Sequence, residues 1–346
     1  MVFRLVGGGA EKVVMGLARF LDERKQLSRI YSSSDTDARK YPSLRICSLH
    51  AVRALGAARS LSGAVRDDPA CAYLLTANYV ALAPVLRLIK PRSRILARLA
   101  GIISSEMNGL SAFSKARYWI GSALTCLTAD RVIVQGAEMK ADLISTFPWV
   151  SPKVSLIHNF IEDEIWNHKT AKPPFEDPYI FCAATFRPVK AFDTLLAAYA
   201  HSAAREWRKL VIAGVDPDDP GLLDLLKIND LTSSEVIALG FVEKPYDLIA
   251  NADLCTLVSR YEGFSNFLLE AAAFGKRIVA TACPGGNREL LGFYENSLLV
   301  RVDDVEALAS ALAVERRDLS RQEARSALAL FDATTVLGEY LRVLFA

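Results

Sequence analysis

The sequence predicts an α/β protein of two domains built on parallel sheets, and three observations predict it. The first is length, because 346 residues exceed what one hydrophobic core ordinarily supports. The second is alternation. Short β-branched and aromatic runs recur along the chain, and most are followed by apolar residues at helical spacing. The third is the stretch 254–290, where a strand-like run (LCTLVS), a polar loop, a helical run (NFLLEAAAF) and a second strand-like run (RIVATA) follow one another. Strand, loop, helix, strand is the repeating unit of a parallel sheet.

Composition narrows the class. With 51% apolar and 23% charged residues, the chain reads as a globular protein. Its net charge of +2 hides an asymmetry. Residues 1–163 hold 22 Lys and Arg against 13 Asp and Glu, a balance of +9, and the remainder holds 19 against 26. A basic first half suits an anionic partner or surface. No finger, RNP-like or Arg-rich segment supports nucleic acid. The six cysteines form no CxxC pair and have no neighbouring histidine, so reduced, mostly buried thiols of a cytosolic protein are expected. With the glycine run only seven residues in, no signal peptide is expected. The apolar stretch 72–86 contains Thr76, Asn78 and Pro84 and is too short and polar to span a bilayer.

In chain order, residues 1–6 read as a short strand, Gly7, Gly8 and Gly9 as a glycine turn, and Val13, Val14, Leu17 and Leu21 as one face of a helix. Such a turn can bind an anion, although a dinucleotide GxGxxG is absent. Strand-like runs follow at 27–34, 44–50 and 71–77, with an amphipathic helix through Arg66, and His50 stands alone at a strand end. The segment 82–98 intersperses Arg87, Lys90, Arg92, Arg94 and Arg98 with aliphatics. It is either a basic surface for an anionic leaflet or an ordinary helix followed by a strand. A helix from Ser114 leads to a strand at 129–136.

The Pro-rich, charged segment 168–178 reads as a linker. Beyond it, YIFCAAT is a buried-type strand that delivers Arg187 and Lys190, three residues apart, ahead of a helix with Phe192, Leu195, Leu196 and Tyr199 inward. Two cations at a strand end suit a diphosphate and its departure as a leaving group. Strands at 210–214 and 236–242 precede the stretch 254–290. There Glu262 lies in the loop beyond a strand end, where ligands of open α/β sheets bind. The amides of Gly263, Phe264 and Ser265, with Ser265 as N-cap, face an anionic group. Glu270 falls inside the helix, able to accept from two vicinal hydroxyls, and Gly275 ends that helix. The alternative is a capped helix carrying two solvated glutamates. Helices at 303–313 and 334–345 complete the chain.

The pattern Glu262-Gly263-Phe264, five residues, Glu270-Ala271, a small-residue turn, an apolar strand and Pro284-Gly285-Gly286 resembles the donor-site signature of retaining glycosyltransferases of family 4, glycosyl transferases group 1. The resemblance is strong from residue 178 onward and looser before it. It implies the GT-B fold: two Rossmann-like domains facing across a cleft, with the C-terminal helix returning to the first. The expected division is 1–165 plus 334–346 for the acceptor and 166–333 for the donor. GGGAEK resembles the family's Gly-Gly-Ala-Glu-Arg loop, which implicates Gly8 and Gly9 in donor binding. Ala191 stands where the family has glycine after its Arg and Lys. Phe241 and Val242 take the position whose backbone reads the nucleobase. RLAGIISSE resembles an acceptor-side segment, making Arg98, Ser104 and Glu106 candidates, and Asn159 occupies the family's Asn turn.

The implied activity is transfer of a sugar from a nucleotide-diphosphate sugar, with UDP as the expected nucleotide, to a glycan or lipid-linked acceptor in bacterial surface polysaccharide or lipopolysaccharide synthesis. Anomeric configuration is retained and no metal or cofactor is required. Glu262, Arg187 and Lys190 would be catalytic. Gly263, Phe264, Ser265 and Glu270 would hold the donor. The expected location is the cytoplasm, free or peripheral on an anionic inner membrane face. Two alternatives remain: a nucleotide-sugar epimerase or phosphorylase of the same fold, and a non-catalytic GT-B scaffold that binds sugar nucleotide or lipid.

Overall fold

The computed structural model describes residues 2–3, 9–27, 29–32, 43–49, 54–315 and 317–345. Gly8 and His50 lie outside them. The chain forms two compact units, Met1–Phe160 with Thr334–Ala346, and Ile161–Ala333. The division falls at Phe160/Ile161 rather than at 165/166. Ile161 and Ile165 are buried in the second unit's core, and the Ile161 amide donates to the Phe331 carbonyl at 2.9 Å. A Pro-rich segment marks a loop, but the chain changes units where its apolar side chains change cores.

The first unit runs β1 (Val2–Phe3), α1 (Gly9–Glu23), β2 (Ile30–Ser32), β3 (Ile46–Ser48), α2 (Ala54–Val65), β4 (Ala72–Thr76), α3 (Ala83–Ile89), β5 (Arg94–Arg98), α4 (Ile103–Met107), α5 (Ala112–Thr128), β6 (Arg131–Val134), α6 (Ala137–Thr146) and β7 (Val154–Leu156). Among the described residues its strands are parallel, in the order β3-β2-β1-β4-β5-β6-β7. α5 starts at Ala112, two residues before the expected Ser114. Ser111 is its N-cap, and the Ser111 hydroxyl accepts from the Ser114 amide.

The segment 82–98 is α3 followed by β5, and most of its cations turn inward. Arg87 donates to the carbonyls of Thr128, Pro91 and Ser93 and to the Asp130 carboxylate. Lys90 donates to the carbonyls of Arg66 and Asp68, and Arg98 is buried. Of the two readings of this segment, a helix followed by a strand is the one the structure matches. Hydrogen-bonding needs of backbone carbonyls at helix and strand ends consume these charges.

The second unit runs α7 (Asp163–Trp166), β8 (Tyr179–Ala183), α8 (Phe192–His201), β9 (Lys209–Ala213), α9 (Pro220–Ile228), β10 (Val236–Ala238), α10 (Tyr246–Asn251), β11 (Leu254–Leu257), α11 (Asn266–Ala273), β12 (Ile278–Thr281), α12 (Gly286–Gly292), β13 (Ser297–Val300), α13 (Val305–Ala313) and α14 (Arg321–Ala327). Its six strands are parallel, in the order β10-β9-β8-β11-β12-β13. Both sheets have the doubly wound order that reverses after their first strand. In the second unit the reversal lies between β8 and β11, so the loops leaving those two strands emerge side by side.

Local chemistry explains the ends of α11. Ser265 caps it by accepting from the Leu268 amide. Gly275 stops it at φ 77°, and a Cβ there would meet the Leu319 carbonyl oxygen at 2.2 Å. α14 was not anticipated, although Ser320 and Glu323 form a reciprocal capping box that SRQE spells out. The terminal helix α15 (Ala333–Phe345) belongs to the first unit from Thr334 on. Its Tyr340 hydroxyl accepts from Arg98 Nε at 3.0 Å.

Candidate functional site

The loops leaving β8 and β11 carry the site. After β8 the chain passes Arg187, takes one 3₁₀ turn over Pro188–Lys190 and enters α8 through Ala191. After β11 it passes Ser259, Arg260 and Glu262 and enters α11 behind Ser265. Adjacency of the two strands brings Lys190 Nζ to 2.5 Å from Glu262 Oε2, across 72 residues of sequence. The same carboxylate oxygen accepts from Ser259 Oγ at 3.1 Å.

Ser259 is itself held. Its amide donates to Thr281 Oγ1 at 2.9 Å, and its carbonyl accepts from that hydroxyl at 2.6 Å. Ser259 and Thr281 are both fully buried. Glu262 is therefore aimed by one cation and one hydroxyl that the neighbouring strand locks in place. Preorganisation of this kind is what a catalytic carboxylate needs.

A second clamp fixes the Lys190 turn. The Arg260 amide donates to the Val189 carbonyl at 2.8 Å, and Arg260 Nη1 donates to the Pro188 carbonyl at 2.5 Å. Its Nη2 pairs with Asp193 at 2.6 Å and with Asp303 at 3.0 Å. Asp303 also accepts from Thr194 Oγ1 at 3.0 Å. Burial works to raise the Asp193 carboxyl, but the Arg260 hydrogen bond and charge hold it below its ordinary range.

The third component is a bridge between two glycine loops. Glu262 pairs in parallel with Gly285. The Glu262 amide donates to the Pro284 carbonyl at 3.0 Å, and the Gly286 amide donates to the Gly263 carbonyl at 2.9 Å. A Cβ on Gly286 would meet that carbonyl oxygen at 2.8 Å and the Phe264 ring at 2.6 Å. Glycine is required here by close approach rather than by flexibility. Beneath the loop, burial first and the Glu262 carboxylate second push the Cys283 thiol up to about 12. Cys283 is thus an inert packing residue.

The structure brings together Lys190, Glu262, Gly263 and the Gly285–Gly286 turn. Ser265 is the N-cap and Phe264 is buried beside it. Glu270 is nearly buried on α11. Arg187 is exposed at the N-cap of the 3₁₀ turn. Phe241 is exposed and Val242 half-buried beyond the end of β10. In the first unit Gly9 opens α1. Arg98 and Asn159 meet in one buried network, where Arg98 Nη2 donates to Asn159 Oδ1 at 2.6 Å and Tyr340 holds the other side. Ser104 is exposed and gives its amide to Asp142 at 3.2 Å. Glu106 folds over Gly101, where a Cβ would lie 2.7 Å from its Oε1.

Sequence reasoning missed Ser259, Thr281, Arg260, Asp193 and Asp303. A hydroxyl three residues before Glu262 at a strand end was a usable signal for Ser259. The others become neighbours only through sheet order.

Residues 177–314 match the family described as Glycosyl transferases group 1. The chain is 28% identical over 222 residues to N-acetylgalactosamine-N,N'-diacetylbacillosaminyl-diphospho-undecaprenol 4-alpha-N-acetylgalactosaminyltransferase of Campylobacter jejuni, covering 62% of this chain and 60% of that protein. It is 27% identical over 164 residues to N-acetyl-alpha-D-glucosaminyl L-malate synthase of Bacillus anthracis, covering 45% and 42%. The chain thus spans less than two thirds of the length of these curated relatives. Among solved structures, sucrose-phosphate synthase of Thermosynechococcus elongatus superposes with a TM-score of 0.80 at 19% identity, covering 99% of this chain and 95% of that one. Anabaena HepE in complex with UDP-glucose superposes with a TM-score of 0.76 at 18% identity, covering 99% of both. The second unit carries a glycosyl transferases group 1 domain, and the chain has the GT-B fold.

Proposed function

We propose that the protein is a retaining, metal-independent glycosyltransferase that moves a sugar from a UDP-sugar to a lipid-linked or glycan acceptor. The observation that carries this reading is the Lys190–Glu262 pair at the sheet's reversal point, with the two bridged glycine loops beside it. A nucleotide diphosphate sugar offers a complementary set of groups. Lys190 and Arg187 meet the diphosphate, Glu262 meets sugar hydroxyls beside the reacting carbon, and Glu270 meets the ribose. The diphospho-undecaprenol-linked glycan in the name of one relative and the UDP-glucose bound to a structural neighbour support this choice of classes. The first unit, which is the more basic, takes the acceptor.

In the reaction the bond between the anomeric carbon and the diphosphate oxygen breaks, and a bond from the acceptor oxygen to that carbon forms on the same face. The acceptor proton passes to a departing phosphate oxygen, and UDP leaves. The Lys190 ammonium has three donors. It can keep Glu262 oriented while it neutralises charge growing on the leaving group, the task a metal performs elsewhere.

The test is a donor screen. Purified protein is incubated with UDP-, GDP- and ADP-sugars and a polyprenyl-diphosphate-linked saccharide, with products read by mass spectrometry and anomeric configuration by NMR. Transfer from a UDP-sugar with retained configuration, undiminished by EDTA, is expected. No product with any donor, or an inverted product, sinks the proposal.

A further inference from the structure

We propose that Phe186 is a positioning residue for Arg187, and that Gly221 on α9 provides the seat that makes it one. The inference rests on the sugar-nucleotide reading of the site, in which Arg187 meets the diphosphate. The two cations of that site are held unequally. Lys190 is fixed by Glu262 and by the contacts of Arg260 with its turn. Arg187 is exposed, and among the described residues its guanidinium makes no hydrogen bond or ion pair. A long side chain left in this state keeps its rotamer freedom until an anion arrives. Whatever aims it beforehand acts through the chain on either side.

Phe186 supplies that anchor. The chain leaves β8 closely held. The Ala184 amide donates to the Ala213 carbonyl at 3.0 Å, and the Ala184 carbonyl oxygen lies 2.8 Å from where a Cβ on Gly214 would stand. Two residues on, the Phe186 ring stacks on that of Phe192, with centroids 5.4 Å apart and planes at 20°. Phe192 opens α8 and is buried. The same Phe186 ring lies against Gly221, where a Cβ would stand 3.0 Å from its Cζ and nearer still to its Cε1. At Arg187 the backbone is extended, with φ −143° and ψ 148°, and successive side chains of an extended chain point to opposite sides. Seating Phe186 against α8 and α9 therefore turns Arg187 outward. The next residue, Pro188, begins the turn that carries Lys190.

Gly221 separates this reading from ordinary packing. It is the second residue of α9, behind the Asp219 cap, whose carboxylate accepts from the Gly221 and Leu222 amides at 2.9 and 3.1 Å. Its backbone is not left-handed, so no turn requires glycine there, and glycine is a poorer helix former than alanine. What the missing side chain provides is room for the Phe186 ring. A weaker helix start is tolerated where it seats the residue next to a site cation.

The test is UDP affinity of the full chain by calorimetry, read as a cycle of variants. Phe186→Ala and Gly221→Ala are each expected to weaken UDP binding about three- to thirtyfold. The first removes the anchor, and the second drives the ring from its seat. Phe186→Leu keeps part of the bulk and should fall between wild type and Phe186→Ala. Gly221→Ala should have no further effect on the Phe186→Ala background, and Phe186→Ala none on the Arg187→Ala background. Circular dichroism checks that each variant folds, and Phe186→Leu takes the place of Phe186→Ala in the cycle should the alanine variant not fold. A residue that only packs would weaken binding as much without Arg187 as with it, and that result overturns the proposal. So does Gly221→Ala protein that binds UDP as wild type does. Wild type that binds none of UDP, GDP and ADP removes the sugar-nucleotide reading itself, a different result from uncoupled variants of a protein that does bind.

Discussion

Lys190 Nζ lies 2.5 Å from Glu262 Oε2, and both side chains are mostly shielded from solvent. The pair joins the two loops at the point where the sheet order reverses. In the proposed reaction Lys190→Ala removes a cation from the leaving group, and in the structure it strands a carboxylate. A fall of about 10²–10³ in kcat is expected, with weaker UDP binding by calorimetry. Glu262→Gln keeps the shape and the Ser259 contact. It should lower kcat by at least about tenfold while leaving UDP affinity within a small factor. Unchanged kcat in the glutamine variant removes Glu262 from the chemistry.

Arg260 holds the Lys190 turn through the Pro188 carbonyl, Asp193 and Asp303. Its task is positioning. Arg260→Ala should cost about 1–3 kcal/mol of stability from lost charged hydrogen bonds. It should also raise the donor KM and lower kcat. Arg260→Lys recovers part of the stability but little of kcat, because one ammonium cannot replace a planar fork serving several acceptors. A lysine variant with wild-type kinetics rules out the positioning role.

Ala191 adopts φ 41° and ψ 45° between the Lys190 turn and α8. A left-handed alanine stores about 1–2 kcal/mol, and glycine relieves it at the cost of a freer unfolded chain and one lost methyl contact. Ala191→Gly should change stability by less than about 1 kcal/mol. Ala191→Val, β-branched in the same conformation, should cost at least about 2 kcal/mol. Thermal unfolding of the two variants separates strain from simple loss of packing.

Gly286 touches the Gly263 carbonyl and Phe264. Gly286→Ala must push these loops apart, which should cost about 1–3 kcal/mol and weaken UDP binding at the same time. Urea unfolding and nucleotide calorimetry together check this. Intact affinity shows that the bridge does not shape the site.

Glu235 accepts from Arg205 Nε at 2.7 Å and from the Thr232 amide and hydroxyl. Arg205 first, and Thr232 next, hold its carboxyl down at about 2 against an ordinary 4.5. A depressed carboxylate stabilises the fold fully above about pH 4.5, and the contribution fades as pH falls towards 2. The pair is about one third exposed, so screening limits it to about 1 kcal/mol or less. Urea unfolding of wild type and Glu235→Gln should differ by that amount at pH 7 and converge near pH 2. A gap that persists at low pH shows that packing is responsible.

The elements were legible wherever local chemistry decides. Ser265 and Gly275 bound α11 because a hydroxyl cap and a left-handed glycine act within one helical turn. The inward face of α8 followed from Phe192, Leu195, Leu196 and Tyr199, all buried. Less legible was the change of unit at Ile161, since an isoleucine does not announce which core it will enter. The choice between the two readings of 82–98 was hidden for a similar reason. Arg87 and Lys90 look solvated in sequence, yet carbonyls 41 and 24 residues away claim them.

The amino-acid order alone determined the α/β class, the glycine turns and the identity of the acids and bases, because helix caps, strand patterns and motif spacings are short-range properties. Only the folded sheets decided which of those groups meet. The order β10-β9-β8-β11-β12-β13 sets Lys190 against Glu262 and Arg260 against Asp193 and Asp303. Packing also decided that Arg98 is enclosed and Phe113 of α5 is left bare. Both are consequences of chain segments distant in sequence competing for the same space.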